Sequence, residues 1–188
     1  MDAFSFVFSL FGLLLGLALA EVLGGFGNAI QSRRRVRIGW LTPLMGLLVA
    51  LDITSFWMIA WSVREQVPAQ YASLLGGLLL FGLYYLIARI TFPHHIDDWP
   101  DYDAYYFEHR LWVLGGMALC NLIAIAFLVS FGVMPLQGAV GRWSLVLFVP
   151  GLVAAMFVRS KRVNVVLLIL LIVQYPLLAV LRLMGVGR

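Results

Sequence analysis

Residues 4–30 read FSFVFSLFGLLLGLALAEVLGGFGNAI, and a basic turn, QSRRRVR at residues 31–37, follows at once. Only Glu21 is charged in this run, which is longer than the roughly 20 apolar residues that carry a helix across a hydrocarbon core of about 30 Å. Although the ALA triplet at residues 18–20 resembles a cleavage site, Asp2 stands where a secretory signal carries positive charge. We therefore predict a retained first transmembrane helix.

Five further apolar runs follow the first. Of the 188 residues, 63% are hydrophobic and 12% are charged, and the mean hydropathy of +0.98 leaves too little polar surface for a water-soluble protein of this size. We predict an all-α integral membrane protein, a single domain over residues 1–188, in which six transmembrane helices form a bundle. The fifth run is the shortest and contains Pro150, and if it joined its neighbour the protein would have five spans. The predicted spans are residues 4–30, 40–63, 72–92, 111–131, 143–158 and 163–184.

Basic residues are distributed unevenly between the two sides of these spans. Nine of the 13 flank the first, third and fifth connections, and the other four lie on the opposite side. The positive-inside rule then places both termini on the outer side and the acidic, aromatic connection 93–110 in the cytoplasm. We expect a bacterial inner membrane, with basic loops that contact anionic lipid heads rather than a nucleic acid. The nine residues are Arg33, Arg34, Arg35, Arg37, Arg89, Arg110, Arg159, Lys161 and Arg162.

The sequence lacks most of the residues that membrane proteins use to bind cofactors or to catalyse reactions. A single cysteine, Cys120, excludes disulfide scaffolds, and the only lysine, Lys161, lies in a basic turn where retinal could not attach inside a span. All three histidines lie in one connection, which argues against a haem held between spans. No phosphate-binding glycine loop, H-E-x-x-H or G-x-S-x-G motif occurs. We therefore expect no cofactor and favour a function other than catalysis.

Small residues recur at every fourth position of the first span. This spacing places them on one face of a helix, where another backbone can approach closely. We predict a helix-packing surface there, and its partner is either another helix of this chain or a second copy. Candidate facing surfaces are the glycine pairs at residues 76–77 and 115–116. The recurring residues are Gly12, Gly16, Ala20 and Gly24, and Asn28 continues the series.

Polar side chains inside the spans form the second pattern. An ionised carboxylate at the middle of a span costs about 2.5 to 3.5 kcal/mol, so such groups need partners or protons. Ser55 follows Asp52 by about one turn, and Asn28 with Arg89 marks a second level nearer the cytoplasm. These polar side chains, which we call the polar belt, either bind ions or protons, or stabilise the bundle by about 0.6 to 2 kcal/mol per hydrogen bond. Its members, placed at similar depth by the helical rise, are Glu21, Asp52, Asn121 and Gln174.

The connection TFPHHIDDWPDYDAYYFEHRLW, residues 91–112, is the most polar segment. Its imidazoles and carboxylates could bind a divalent cation through His94, His95, Asp97 and Asp98, although the spacing matches no established motif. An alternative that explains more residues has Asp98 capping a helix, followed by an aromatic belt at the membrane interface. The acids also suggest contact with a basic surface, either the RRRVR turn or a partner. The aromatic residues are Trp99, Tyr102, Tyr105, Tyr106 and Trp112.

These patterns favour a small membrane transporter or channel subunit that handles protons or small cations through the polar belt. An alternative is a non-catalytic membrane subunit that docks through the small face of the first helix and the acidic connection. A third hypothesis, an enzyme acting on a lipid head group at the HHIDD segment, has less support. We expect the lipid bilayer as a partner, together with either a homo-oligomer or a larger membrane complex.

Overall fold

The computed structural model describes residues 3–95, 98–130, 132 and 139–184, of which 82% are helical and none forms a strand. The all-α prediction is confirmed. Within these residues there are six helices, and the first ends next to the basic turn, as the charge pattern indicates. Their bounds are α1 Ala3–Ser32, α2 Leu41–Ser62, α3 Tyr71–Arg89, α4 Tyr102–Ser130, α5 Ala139–Phe157 and α6 Lys161–Leu183.

Five of the six described helices, all except α5, are long and apolar enough to span a membrane. The chain is therefore a helical integral membrane protein. The apolar part found in α5 is Val146–Phe157, although the whole helix has 19 residues and a length of about 28 Å. Because α5 has this length and packs against both α4 and α6, we retain α5 as a predicted sixth span.

Contacts at the helix ends define an up-and-down bundle. Asp103, at the start of α4, bonds the main chain of Leu41 at the start of α2 and pairs with Lys161 at the start of α6. Arg110 donates to the carbonyl oxygen of Val158, directly after α5. Helices α2, α4 and α6 therefore begin at the end of the bundle where α5 finishes. We call this the basic end.

Helix α2 lies at the centre and packs against α1, α3, α4 and α6. The contact between α1 and α3 is the most extensive and depends on a close approach at Gly77. An added Cβ there would lie 1.7 Å from the ring of Phe11 on α1, and that ring packs against Phe81 at 4.9 Å between centroids. Gly77 therefore meets an aromatic side chain of α1, whereas Gly76 has nothing within 4 Å.

Helix α4 begins nine residues before the predicted span, and its cap differs from the expected one. Asp101 accepts a hydrogen bond of 2.7 Å from the backbone nitrogen of Ala104, so the prediction that Asp98 caps this helix is wrong. The backbone nitrogen of Tyr102 donates to the carbonyl oxygen of Arg37 at 3.4 Å. The acidic connection thus contacts the RRRVR turn of its own chain.

The tyrosines of this segment do not form the predicted interfacial belt, because Tyr102, Tyr105 and Tyr106 are buried. The hydroxyl of Tyr105 donates to the Ile90 carbonyl oxygen, and that of Tyr106 to Asn164 on α6, each at 2.8 Å. Their apolar rings and paired hydroxyls suit the interior of the basic end.

Exposed tryptophans mark the two ends of α2. Trp40 is 73% exposed and Trp61 is 56% exposed. At 1.5 Å per residue they lie about 32 Å apart along the helix axis, close to the thickness of a hydrocarbon core. Tryptophan prefers the membrane interface, so this pair is consistent with α2 crossing the bilayer.

Candidate functional site

Asp52, on the central helix α2, accepts hydrogen bonds from side chains of three other helices. It is 1% exposed. Its Oδ2 accepts hydrogen bonds from the hydroxyl of Tyr84 and, at 2.8 Å, from Nδ2 of Asn121. Its Oδ1 accepts from the hydroxyl of Tyr175 at 2.8 Å. We call these four residues the Asp52 cluster, and they join α2 to α3, α4 and α6.

Neighbouring groups hold each donor of the Asp52 cluster in place. The Tyr84 ring packs edge-on against Phe56, with 4.7 Å between centroids, and Phe56 lies one turn after Asp52 on α2. The Tyr175 ring lies 6.2 Å from that of Phe148 on α5. Nδ2 of Asn121 also donates to the Met117 carbonyl oxygen of its own helix at 3.0 Å. The donors are therefore oriented by packing as well as by the carboxylate.

The hydrogen-bond partners of Asp52 are tyrosine hydroxyls and an amide, which carry no charge. Among the residues that the structure describes, no arginine, lysine or histidine forms an ion pair or hydrogen bond with it. An ionised carboxylate can accept from all three donors, whereas a protonated carboxyl must donate one hydrogen bond itself. Gain or loss of a proton therefore changes the links among four helices.

The structure brings together only part of the predicted belt. Asn121 contacts the Asp52 carboxylate, as its depth suggested. Ser55 donates instead to the main-chain oxygen of Asp52, at 2.7 Å, and forms no hydrogen bond with the carboxylate. Gln174 precedes the cluster member Tyr175, yet its buried Oε1 has no hydrogen-bond partner among the described residues.

Glu21 does not join Asp52, and its predicted place in the belt is wrong. It forms an ion pair with Arg89, whose Nη1 lies 2.9 and 3.1 Å from the two carboxylate oxygens. Glu21 thus belongs with the second level that the sequence assigned to Arg89 and Asn28. All three residues line an open recess of about 260 Å³ between α1 and α3, near the basic end.

Tyr84 and Tyr175 are the cluster residues that the sequence pattern missed. Each is an aromatic residue within an otherwise apolar run, so hydropathy gives no signal. A buried carboxylate nevertheless requires hydrogen-bond donors, and a tyrosine hydroxyl in the middle of a span requires an acceptor. Pairing these two requirements could have identified both tyrosines.

The small-residue series of α1 does not pack closely against α3. Gly16, Ala20 and Gly24 are exposed, and a Cβ added at either glycine would meet nothing within 4 Å. Gly12 would meet only Phe8 of its own helix, at 3.8 Å. The surface that packs against the bundle lies on another side of α1 and includes Leu15, Ala18 and Val22, all fully buried.

The candidate metal ligands are only partly described. His94, His95 and Asp98 are exposed, and Asp97 lies outside the described residues. Nε2 of His94 lies 3.2 Å from the Arg89 carbonyl oxygen. Within the described ranges, no group of three or more His, Cys, Asp or Glu side chains is arranged to hold a metal ion.

Two polar features thus remain as candidate sites: the sealed Asp52 cluster and the open Glu21 and Arg89 recess. They differ in exposure and in charge, so they suit different chemistry. No family model, no curated protein and no solved structure matches this chain.

Proposed function

We propose that this protein is a small membrane transporter or channel subunit that handles protons or small cations, with Asp52 as the proton-binding group. The observation that carries the proposal is the burial of Asp52 among three neutral hydrogen-bond donors from three other helices. Acidic residues within spans are costly to keep and commonly mark ion or proton pathways. A carboxylate with neutral partners can take up a proton without breaking an ion pair.

In this proposal, proton uptake by Asp52 is coupled to helix position through its hydrogen bonds. When Asp52 binds a proton, its carboxyl must donate a hydrogen bond, so one of the three donors must release its contact or accept instead. Tyr175 is followed directly by Pro176, which has no N–H to bond the preceding turn of α6. Helix α6 can therefore bend beside the residue that contacts Asp52.

Reconstituted vesicles provide the direct test. The purified protein is placed in vesicles that contain a pH-sensitive dye, and a pH gradient or a cation gradient is imposed. We expect gradient-driven flux in wild type and its loss in Asp52→Asn, because the amide keeps the shape but has no titratable carboxyl. Tyr85→Phe is the matched control, since it removes a hydroxyl next to Tyr84 that forms no hydrogen bond with the described residues.

Two outcomes would contradict the transport proposal. The first is equal flux in wild type and Asp52→Asn, and the second is absence of flux from the wild-type protein. Infrared difference spectra between acidic and alkaline pH provide a second measurement, which does not depend on the transported species. A protonated-carboxyl band that is present in wild type and absent in Asp52→Asn would identify Asp52 as a titrating group.

A second candidate function is a non-catalytic subunit of a membrane complex or homo-oligomer. The exposed small face of α1 favours it, because close helix packing uses such faces. The acidic connection contributes less than expected, since Asp101 caps α4 and Asp103 pairs with Lys161. Only Asp98 and Glu108 remain exposed there among the described acids. Cross-linking from introduced cysteines at the α1 face, in native membranes, would detect a protein neighbour.

A further inference from the structure

The recess between α1 and α3 carries both signs of charge. The side chain of Glu21 is 27% exposed and that of Arg89 is 48% exposed, while Asn28 and His94 add further polar groups to the wall. Its volume of about 260 Å³ is below the roughly 300 to 1,000 Å³ typical of clefts for drug-sized ligands. The recess therefore suits a small polar group.

The ion pair leaves hydrogen-bonding capacity on both partners. Arg89 uses Nη1 for both oxygens of Glu21, and its Nη2 and Nε form no hydrogen bond with any described residue. A guanidinium matches phosphate well, because its planar N–H groups can donate to two oxygens together. The Glu21 carboxylate retains acceptor sites for a cation. A ligand with adjacent negative and positive groups would satisfy both residues.

The position of the recess suggests the source of such a ligand. Arg89 is the last residue of α3, a helix long and apolar enough to span a membrane, so the charge pair lies where such a helix would meet the lipid head groups. Gly24, Ala20 and Gly16 are exposed and form a strip of small residues, called the groove below, that extends from the recess for about 12 Å along α1. A hydrocarbon chain can lie against a helix where the side chains are this small.

We propose that this recess binds a phospholipid whose head group carries both a phosphate and a primary amine. The phosphate contacts Arg89, the ammonium contacts Glu21, and one acyl chain lies along the groove from Gly24 to Gly16. A purely anionic head group would be repelled by Glu21, and a purely cationic ligand by Arg89. The inference does not depend on the role of Asp52.

Native mass spectrometry of the purified protein tests this proposal. The protein is mixed with phosphatidylethanolamine and with phosphatidylglycerol that has the same acyl chains, and the retained lipid is counted. We expect wild type to retain the aminophospholipid about tenfold more strongly, and Glu21→Gln to remove this preference, because one charge-assisted contact is lost. Arg89→Gln should weaken retention of both lipids.

A matched pair of glycine variants tests the groove. Gly24→Leu should fold normally, since an added Cβ meets nothing within 4 Å, but it fills the groove and should lower lipid retention. Gly76→Leu adds the same bulk at an exposed position of α3 with equal space, and should retain lipid as wild type does. Helix content by circular dichroism and elution volume confirm that both variants are folded.

Several results would overturn the proposal. One is equal retention of the two lipids by wild type, and another is unchanged retention in Gly24→Leu. A change from dimer to monomer in Gly24→Leu would show that a second copy covers the groove. Competition by free phosphoethanolamine at the same concentration as the lipid would show that the acyl chain contributes nothing, so the ligand would be a soluble molecule.

Discussion

Gly39→Ala should destabilise the protein by displacing Asp103. A Cβ added at Gly39 would lie 1.9 Å from the Asp103 carboxyl carbon and from each of its oxygens. Gly39 does not have a positive φ, so alanine could adopt its backbone conformation and the effect would come from this collision. Asp103 is 5% exposed, accepts a 2.9 Å hydrogen bond from the Leu41 nitrogen and pairs with Lys161, so it cannot move without losing contacts.

The size of the effect follows from those contacts. A hydrogen bond to a charged group contributes about 1.5 to 3 kcal/mol, which applies to the bond from Leu41. The Lys161 side chain is 54% exposed, so solvent reduces the ion pair to about 0.2 to 1 kcal/mol. Asp103→Ala should therefore lower the free energy of unfolding by about 2 to 4 kcal/mol. Gly39→Ala should lower the free energy of unfolding by nearly the same amount, because it displaces the same carboxylate.

The double variant separates this mechanism from general strain. Once Asp103 is alanine, the Cβ at residue 39 has room, so Gly39→Ala with Asp103→Ala should cost no more than Asp103→Ala alone, within about 0.5 kcal/mol. Unfolding in mixed micelles, followed by circular dichroism, measures all three variants. Gly76→Ala is the control and should not destabilise, because its Cβ has open space. Additive costs, or a neutral Gly39→Ala, would refute the reasoning.

Further predictions concern the cluster and the topology. Tyr84→Phe should lower the free energy of unfolding in micelles by about 0.6 to 1.7 kcal/mol through loss of its hydrogen bond to Asp52, whereas Tyr85→Phe should change it little. Equal losses in both variants would contradict this assignment. Cysteines introduced near Asp2 and Arg188 should react with an impermeant thiol reagent in intact cells, and one near Arg35 should be protected. The opposite labelling pattern would reverse the orientation.

The helices could be predicted from the sequence because a bilayer requires long apolar runs. The start of α4 could not, because a hydropathy window excludes the polar first turns of a helix that continues beyond the apolar layer. There, Tyr102, Tyr105 and Tyr106 pack into the bundle, and Asp101 supplies the cap. Because polar and aromatic residues alternate in this segment, its pattern resembles that of a membrane interface. Its tyrosines nevertheless lie inside the helix bundle.

The depth of Glu21 was misjudged because the helices do not end in a common plane. Glu21 lies about 16 Å from the end of α1, yet it pairs with Arg89, the last residue of α3. Helix α1 therefore extends beyond α3 at the basic end. A residue's depth in the membrane, when it is counted from the end of its own helix, does not include this offset between helix ends. The offset depends on how the helices pack. Asp52 and Asn121 were paired correctly, because both lie well inside long runs.

The two candidate sites share α3 but face different sides of it. Tyr84 contacts Asp52 on α2, and Arg89 contacts Glu21 on α1. Five residues correspond to a rotation of about 140° around an α-helix, so these side chains leave α3 in well-separated directions. Asp52→Asn therefore leaves the recess contacts in place, and Glu21→Gln leaves the donors of Asp52 in place. Loss of proton flux in the first variant and loss of lipid preference in the second would consequently report on separate sites, and either proposal can fail alone.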